Sequence, residues 1–135
     1  VVGGDAAARS AAAVVSALRA ALPADGPRLL LFGESLGATA ALPLAPLVDG
    51  CLLAGRPDSV GEHAPGCTEL RNADDPVVRW SPRSLLTDPV AFWQVTAALL
   101  IAQDAGADHG HRYVTFDAGW AAAIPPADAA PHAAA

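Results

Sequence analysis

The sequence contains neither methionine nor lysine. All eight basic residues are arginines, spaced singly from Arg9 to Arg112, against fourteen acidic residues and a net charge of −6. No basic patch or stripe forms, so a nucleic-acid partner is not expected. Long apolar runs are also missing. The longest, residues 90–102, is too short to cross a bilayer and is interrupted by Gln94 and Thr96. No signal peptide is recognisable at the amino end. Cysteine is confined to Cys51 and Cys67, too few for a disulfide framework. The pair is either one bridge made in an oxidising compartment or two buried thiols. Metal-ligand spacing is absent as well. His63 stands alone, and Asp108, His109 and His111 lie too close together to converge on one ion, so no metal and no cofactor is expected.

A globular protein fits what remains. Hydrophobic residues make up 53% of the 135 residues and charged ones 16%, enough for one small domain with a real core. The expected domain is residues 1–124, followed by a disordered Ala/Pro-rich tail over 125–135. The lack of methionine suggests a processed product or a piece of a longer chain.

Residues 3–27 read as a helix that Asp5 caps and Pro23 ends, with Val14, Val15, Leu18 and Leu22 on the inward face. "RLLLFG" then reads as a strand buried on both faces, and "LGATAALPLAP" as a short helix broken by Pro43 and Pro46. "VDGCLLAG" and residues 68–72 are two more strands. "TDPVAFWQVTAALLIAQDAG" is a helix capped by Asp88, with Pro89 in its first position and Gly106 as its stop. Residues 117–124 make a last short helix. Trp80, Phe92 and Trp93 are assigned to the core. This order predicts an α/β fold with a small, mostly parallel sheet.

At the first strand-to-helix junction the chain reads "GESLG", which fits G-x-S-x-G. A serine on so sharp a turn needs small neighbours, here Gly33 and Gly37. The turn lifts the hydroxyl clear of the sheet, and the amide of the following residue, Leu36, can donate to an oxyanion. The plainer alternative is that Ser35 merely caps the helix. A nucleophilic serine also needs a base and an acid, in the chain order serine, acid, histidine. "RNADDPVVRW" offers Asp74 and Asp75 after the third strand; Asp75 is preferred because Pro76 fixes the chain beside it. "DHGHRY" offers the base, with His111 preferred and His109 as the alternative.

Three separated stretches, "GPRLLLFGESLGA", "NADDPVVRWSP" and "AFWQVTAALLIAQDAGADHGHRY", together resemble an actinobacterial α/β-hydrolase catalytic-domain family over about residues 5–124. The resemblance implies a three-layer α/β-hydrolase fold and a Ser35–Asp75–His111 triad with cutinase-like spacing. The family's substrates are undefined, and the expected substrate, a carboxylic ester of a small molecule or a lipid, follows from the serine–histidine–acid chemistry instead. Longer members look membrane-associated, which implies a membrane or extracytoplasmic location reached through regions outside this chain. The sequence departs from the family in three places. The earlier strands and the loop carrying a second oxyanion amide would precede Val1. The segment between the second strand and Cys67 is short. Asp108 stands where a glycine is expected, adding charge near the histidines. A serine ester hydrolase is the first expectation, and a non-catalytic binding or packing module of the same fold is the alternative.

Overall fold

The computed structural model describes residues 4–57 and 65–124. His63, His132 and the expected disordered tail lie outside the described residues. The fold is mixed α/β around a three-stranded parallel sheet of order β1 (Leu30–Glu34), β2 (Gly50–Ala54), β3 (Thr68–Leu70). Leu30 lies opposite Gly50 and Glu34 opposite Ala54, while Leu52 faces Thr68 and Ala54 faces Leu70. The carboxyl ends of all three strands therefore point the same way, toward one rim.

The alternation of side chains along β2 separates two helical layers. Cys51 and Leu53 point into the main core with Val15 of α1 (Gly4–Ala21), Ala38 and Ala41 of α2 (Leu36–Ala41), Leu44 of the 3₁₀ segment Leu42–Leu47, and Val48 just after it. Leu52 points to the other side, against α6 (Asp117–Ala123). There Gly119 sits so close that a Cβ would come within 3.0 Å of Leu52 and 3.1 Å of Leu70. Phe32 of β1 packs on this side too, edge-on to Phe116 at 5.2 Å.

Two expectations about the core are corrected. Helix α1 turns Ala11, Ala12 and Val15 inward, while Val14 and Leu18 are 59% and 43% exposed. Helix α2 contributes Ala38 and Ala41 to the same cluster as Ala11, Ala12 and Val15 of α1, so small residues meet across this interface. Strand β1 is not buried on both faces: only Gly33 is, and Leu30 and Phe32 are partly exposed. It is the edge of the described sheet, whereas the central strand β2 is buried throughout.

Arg19 fastens the end of α1 to the sheet entrance. Its guanidinium meets Asp49 at 2.6 Å and the Leu47 carbonyl at 2.9 Å, and Asp49 accepts from the Leu29 amide at 2.7 Å. The hydrogen bond from Arg19 holds the Asp49 carboxyl below its ordinary range. Cys51 and Cys67 form a disulfide, which ties the central strand to the approach of β3 and resolves the open alternative.

Between β3 and the last helix run α3 (Pro76–Arg79), α4 (Ser84–Thr87) and α5 (Pro89–Ala98), the last prolonged by a 3₁₀ turn, Leu99–Ile101. Asp88 caps α5 by accepting from the Ala91 amide at 3.0 Å, with Pro89 at the first position. The helix stops at Ala98 and its 3₁₀ turn at Ile101, well before Gly106, and the Ala102 carbonyl that follows accepts from the His111 amide at 2.9 Å. Trp80 and Phe92 pack together, and Trp80 donates to Thr96 Oγ1 at 3.1 Å. Trp93, expected in the core, is 62% exposed, and α5 has no buried residue. Among the described residues no helix is long and apolar enough to cross a membrane.

Candidate active site

The three strand ends build the site. Ser35 joins the last residue of β1 to the first residue of α2, with φ 56° and ψ −123°. This lies outside the wells open to an L-residue and costs about 1–3 kcal/mol, so the surroundings must enforce it. They do so from both directions. The Ser35 amide donates to Ala54 at 2.9 Å, and the Ser35 carbonyl accepts from Ala38 at 3.1 Å. Gly33 makes the turn feasible, since a Cβ there would lie 2.8 Å from both Ala38 Cα and the Gly37 carbonyl. Gly37 has no such duty, because a Cβ would meet nothing within 4 Å. The motif's second glycine is therefore not required sterically, contrary to expectation.

The conformation also separates the two readings of Ser35. A helix-capping serine has extended backbone and accepts from an amide of the first turn. Ser35 has neither, and its side chain makes no cap hydrogen bond. The first amides bonded back within this turn are those of Ala38 and Thr39, so the Leu36 amide is left unused by the helix.

Asp75 lies five residues beyond β3 and is fully buried. One carboxylate oxygen caps α3, accepting from the Val77 amide at 2.8 Å. The other accepts from the Tyr113 hydroxyl at 2.8 Å and lies 2.8 Å from His111 Nδ1. An ionised carboxylate only accepts, so the hydrogen-bond network assigns the proton to Nδ1 and leaves Nε2 its lone pair. Burial, reinforced by Asp75, pushes the Tyr113 phenol well above its ordinary range, which keeps it a proton donor.

The base loop is clamped to the acid loop at several points. Asn72 Nδ2 donates to the Gly110 carbonyl at 3.0 Å, and the Gly110 amide donates to Asp74 at 3.1 Å. Gly110 has φ +55°, and a Cβ there would stand 2.7 Å from the Ala102 carbonyl. Beside the buried Asp75–His111 pair runs a parallel rung, His109 Nδ1 to Asp74 Oδ2 at 3.2 Å, with side chains 69% and 55% exposed. Of the four residues weighed as acid and base, burial thus singles out Asp75 and His111. The Gly110 amide, followed by weaker contributions from His109, holds the Asp74 carboxyl low. The Asp108 carboxylate is held mainly by Thr115 and Val114, with a smaller interaction with His109. Asp108 has φ +57°, the region that favours glycine, and it accepts from the Val114 and Thr115 amides at 2.9 Å each.

Serine and imidazole meet the same stretch of chain, the end of β2. Ser35 is bonded to Ala54, and the next residue, Gly55, lies against the His111 ring. A Cβ on Gly55 would come within 2.7 Å of His111 Cε1 and 2.8 Å of Tyr113 Cε2, and its φ is +60°. Gly55, Asn72 and the hydrogen bond from Tyr113 to Asp75 are parts of the site that the sequence reading did not assign. A glycine directly after a buried strand was the available signal. Among the described residues no hydrogen bond joins the Ser35 hydroxyl to His111; the Ser35 amide is bonded to Ala54, and Gly55 lies against the His111 ring. Catalytic hydrogen bonds of this type often close only with substrate.

Arg56, fully buried after Gly55, donates to Glu69 at 2.9 Å, and Arg71 grips the other oxygen of Glu69 at 2.6 Å. Burial pushes Glu69 up, but the guanidiniums of Arg71 and Arg56 outweigh it and hold the carboxyl below its ordinary range. A cleft of about 160 Å³ opens between α3 and α5, bordered by Asp74, Pro76, Arg79 and Gln94. Ser35, Asp75 and His111 do not line it, although Asp74 and Pro76 on either side of Asp75 do. No group of three or more potential metal ligands occurs among the described residues. No protein-family model, no curated protein and no solved structure matches the chain.

Proposed function

We propose that the chain is a serine hydrolase of the α/β-hydrolase type, cleaving a carboxylic ester through an acyl-enzyme. The observation that carries this reading is the backbone of Ser35, strained at a strand-to-helix junction with no capping role to account for it. The Asp75–His111 pair at the neighbouring strand ends supports it. Ser35 Oγ attacks the ester carbonyl while His111 Nε2 takes its proton. Asp75 holds the imidazole and stabilises its charged form. The Leu36 amide donates to the oxyanion. His111 then protonates the departing alcohol, and a water activated by the same nitrogen releases the acid and restores Ser35. The residues in these steps require neither metal nor cofactor, and the substrate is a small-molecule or lipid ester.

The second reading, a non-catalytic binding or packing module, is favoured by one observation: the Ser35 hydroxyl and His111 are not hydrogen-bonded. Labelling with a fluorophosphonate decides between them. The expected result is modification of Ser35, abolished in Ser35→Ala and His111→Ala and retained in His109→Ala. A folded wild type that stays unlabelled would overturn the hydrolase reading. Loss in His109→Ala with retention in His111→Ala would exchange the roles of the two histidines.

A further inference from the structure

We infer that Tyr113 is a positioning residue that sets the basicity of His111 through Asp75. This rests on the hydrolase reading above. Tyr113 is 9% exposed, and its hydroxyl is fixed at both ends. The oxygen accepts from the Asn72 amide at 3.1 Å, and the proton goes to Asp75 Oδ2 at 2.8 Å. A hydroxyl has one proton, so the incoming amide leaves Asp75 as its direction. The same carboxylate oxygen faces His111 Nδ1 at 2.8 Å, and the two rings stand edge to face with centroids 5.9 Å apart. Two donors thus share one acceptor atom.

The consequence has a definite sign. Electron density that Asp75 gives to the phenol is not available to the imidazolium. Removing the phenol proton makes the carboxylate a stronger partner for charged His111, so His111 loses its proton at higher pH. Strengthening the phenol as a donor does the reverse. The other ionisable groups around the pair are Asp74 and His109 on the same two loops, Arg71 beyond β3 and Arg56 after Gly55. All four are common to wild type and to the proteins changed at position 113, so a shift between them reports on the change at Tyr113. One hydrogen bond of ordinary net strength corresponds to about half a pH unit to one.

Tyr113 is the only tyrosine in the chain, which permits a nearly isosteric test in both directions. Fluorophosphonate labelling rates are measured against pH for wild type, for Tyr113→Phe and for protein grown with 3-fluorotyrosine, whose phenol is more acidic. The titration of the His111 ring is followed by NMR in the same three proteins. The midpoint of the acid limb is expected to rise in Tyr113→Phe and to fall with 3-fluorotyrosine, with the NMR midpoints moving alike. Midpoints that stay put while the plateau rate drops, or that move in the same direction in both proteins, overturn the inference and leave Tyr113 a purely structural residue. Opposite NMR shifts in proteins that do not label at all support the role of Tyr113 and overturn the hydrolase reading. Should the phenylalanine variant fail to fold, the fluorotyrosine protein still decides by the sign of its shift.

Discussion

Replacing Gly55 with alanine tests whether the seat of the imidazole is real. The added methyl would stand 2.7 Å from His111 Cε1 and 3.0 Å from Nδ1, about 0.7 Å inside ordinary contact with the nearer atom. Two costs combine. Holding alanine at φ +60° costs about 1–2 kcal/mol. Overfilling a packed site costs about 1–3 kcal/mol more. The total of about 2–5 kcal/mol should appear as an earlier urea midpoint. The relief of the clash matters more for chemistry than its cost. The backbone here is held by the Gly55 amide on Leu70 and by the Ser35 amide on Ala54, so the ring is the part that yields. Moving it stretches the 2.8 Å contact between His111 and Asp75. Displacements of about 1 Å at a reacting group cost about a hundredfold in rate. Fluorophosphonate labelling of Gly55→Ala is therefore expected to fall about a hundredfold in protein that remains folded by circular dichroism. Gly37→Ala is the control, because its added methyl meets open space and labelling should persist. A Gly55→Ala protein with wild-type labelling and a wild-type urea midpoint would refute the proposed seat.

Two further outcomes follow from the scaffold. Reducing the Cys51–Cys67 disulfide, which closes a span of 16 residues, should cost about 3 kcal/mol, seen as a lower urea midpoint in reductant and absent in a Cys51→Ala/Cys67→Ala double variant. An unchanged midpoint would show that the bridge does not constrain the unfolded chain. Stability should also depend on acid in a set direction. Asp49, Glu69, Asp74 and Asp108 all have folded-state pKa values below their ordinary ones, so their contribution is complete above the ordinary carboxylate range. It drains away as the pH falls below about 4. Asp49→Asn should flatten that decline, measured as urea midpoints at several pH values, and a variant as acid-sensitive as wild type would count against the Arg19–Asp49 clamp.

The parallel sheet and the turn around Ser35 were legible because short apolar runs alternate with punctuation by glycine and proline. Asp75 was preferred over Asp74 because Pro76 follows it, but the short helix α3 that begins there was not foreseen, since four residues carry too little periodicity to show one. The other features that escaped depend on partners distant in sequence. An alanine-rich helix such as α1 shows little contrast between its faces, so its larger residues suggested an inward side that packing against α2 did not choose. The strand β1 looks fully apolar, yet its burial depends on what lies beside it. His109 and His111 were hard to separate because both meet an aspartate; only burial, set by Gly55 and Tyr113, tells them apart. The glycine expected in place of Asp108 pointed to a left-handed backbone, which aspartate also tolerates while capping two amides.

The twin rungs, Asp74 with His109 and Asp75 with His111, have a consequence for how the chain finds its native state. Adjacent acids facing alternate histidines offer two chemically similar ways to zip the loops together. Sliding one loop along the other would put His109 on Asp75 and produce a plausible but wrong pairing. The discrimination comes from uncharged fixtures that fit one alignment only: Asn72 on the Gly110 carbonyl, Ala102 on the His111 amide, and a glycine at 110 whose φ of +55° an ordinary side chain resists. In this region the carboxylate–imidazole hydrogen bonds supply attraction, and the fixtures around Gly110 supply the proofreading.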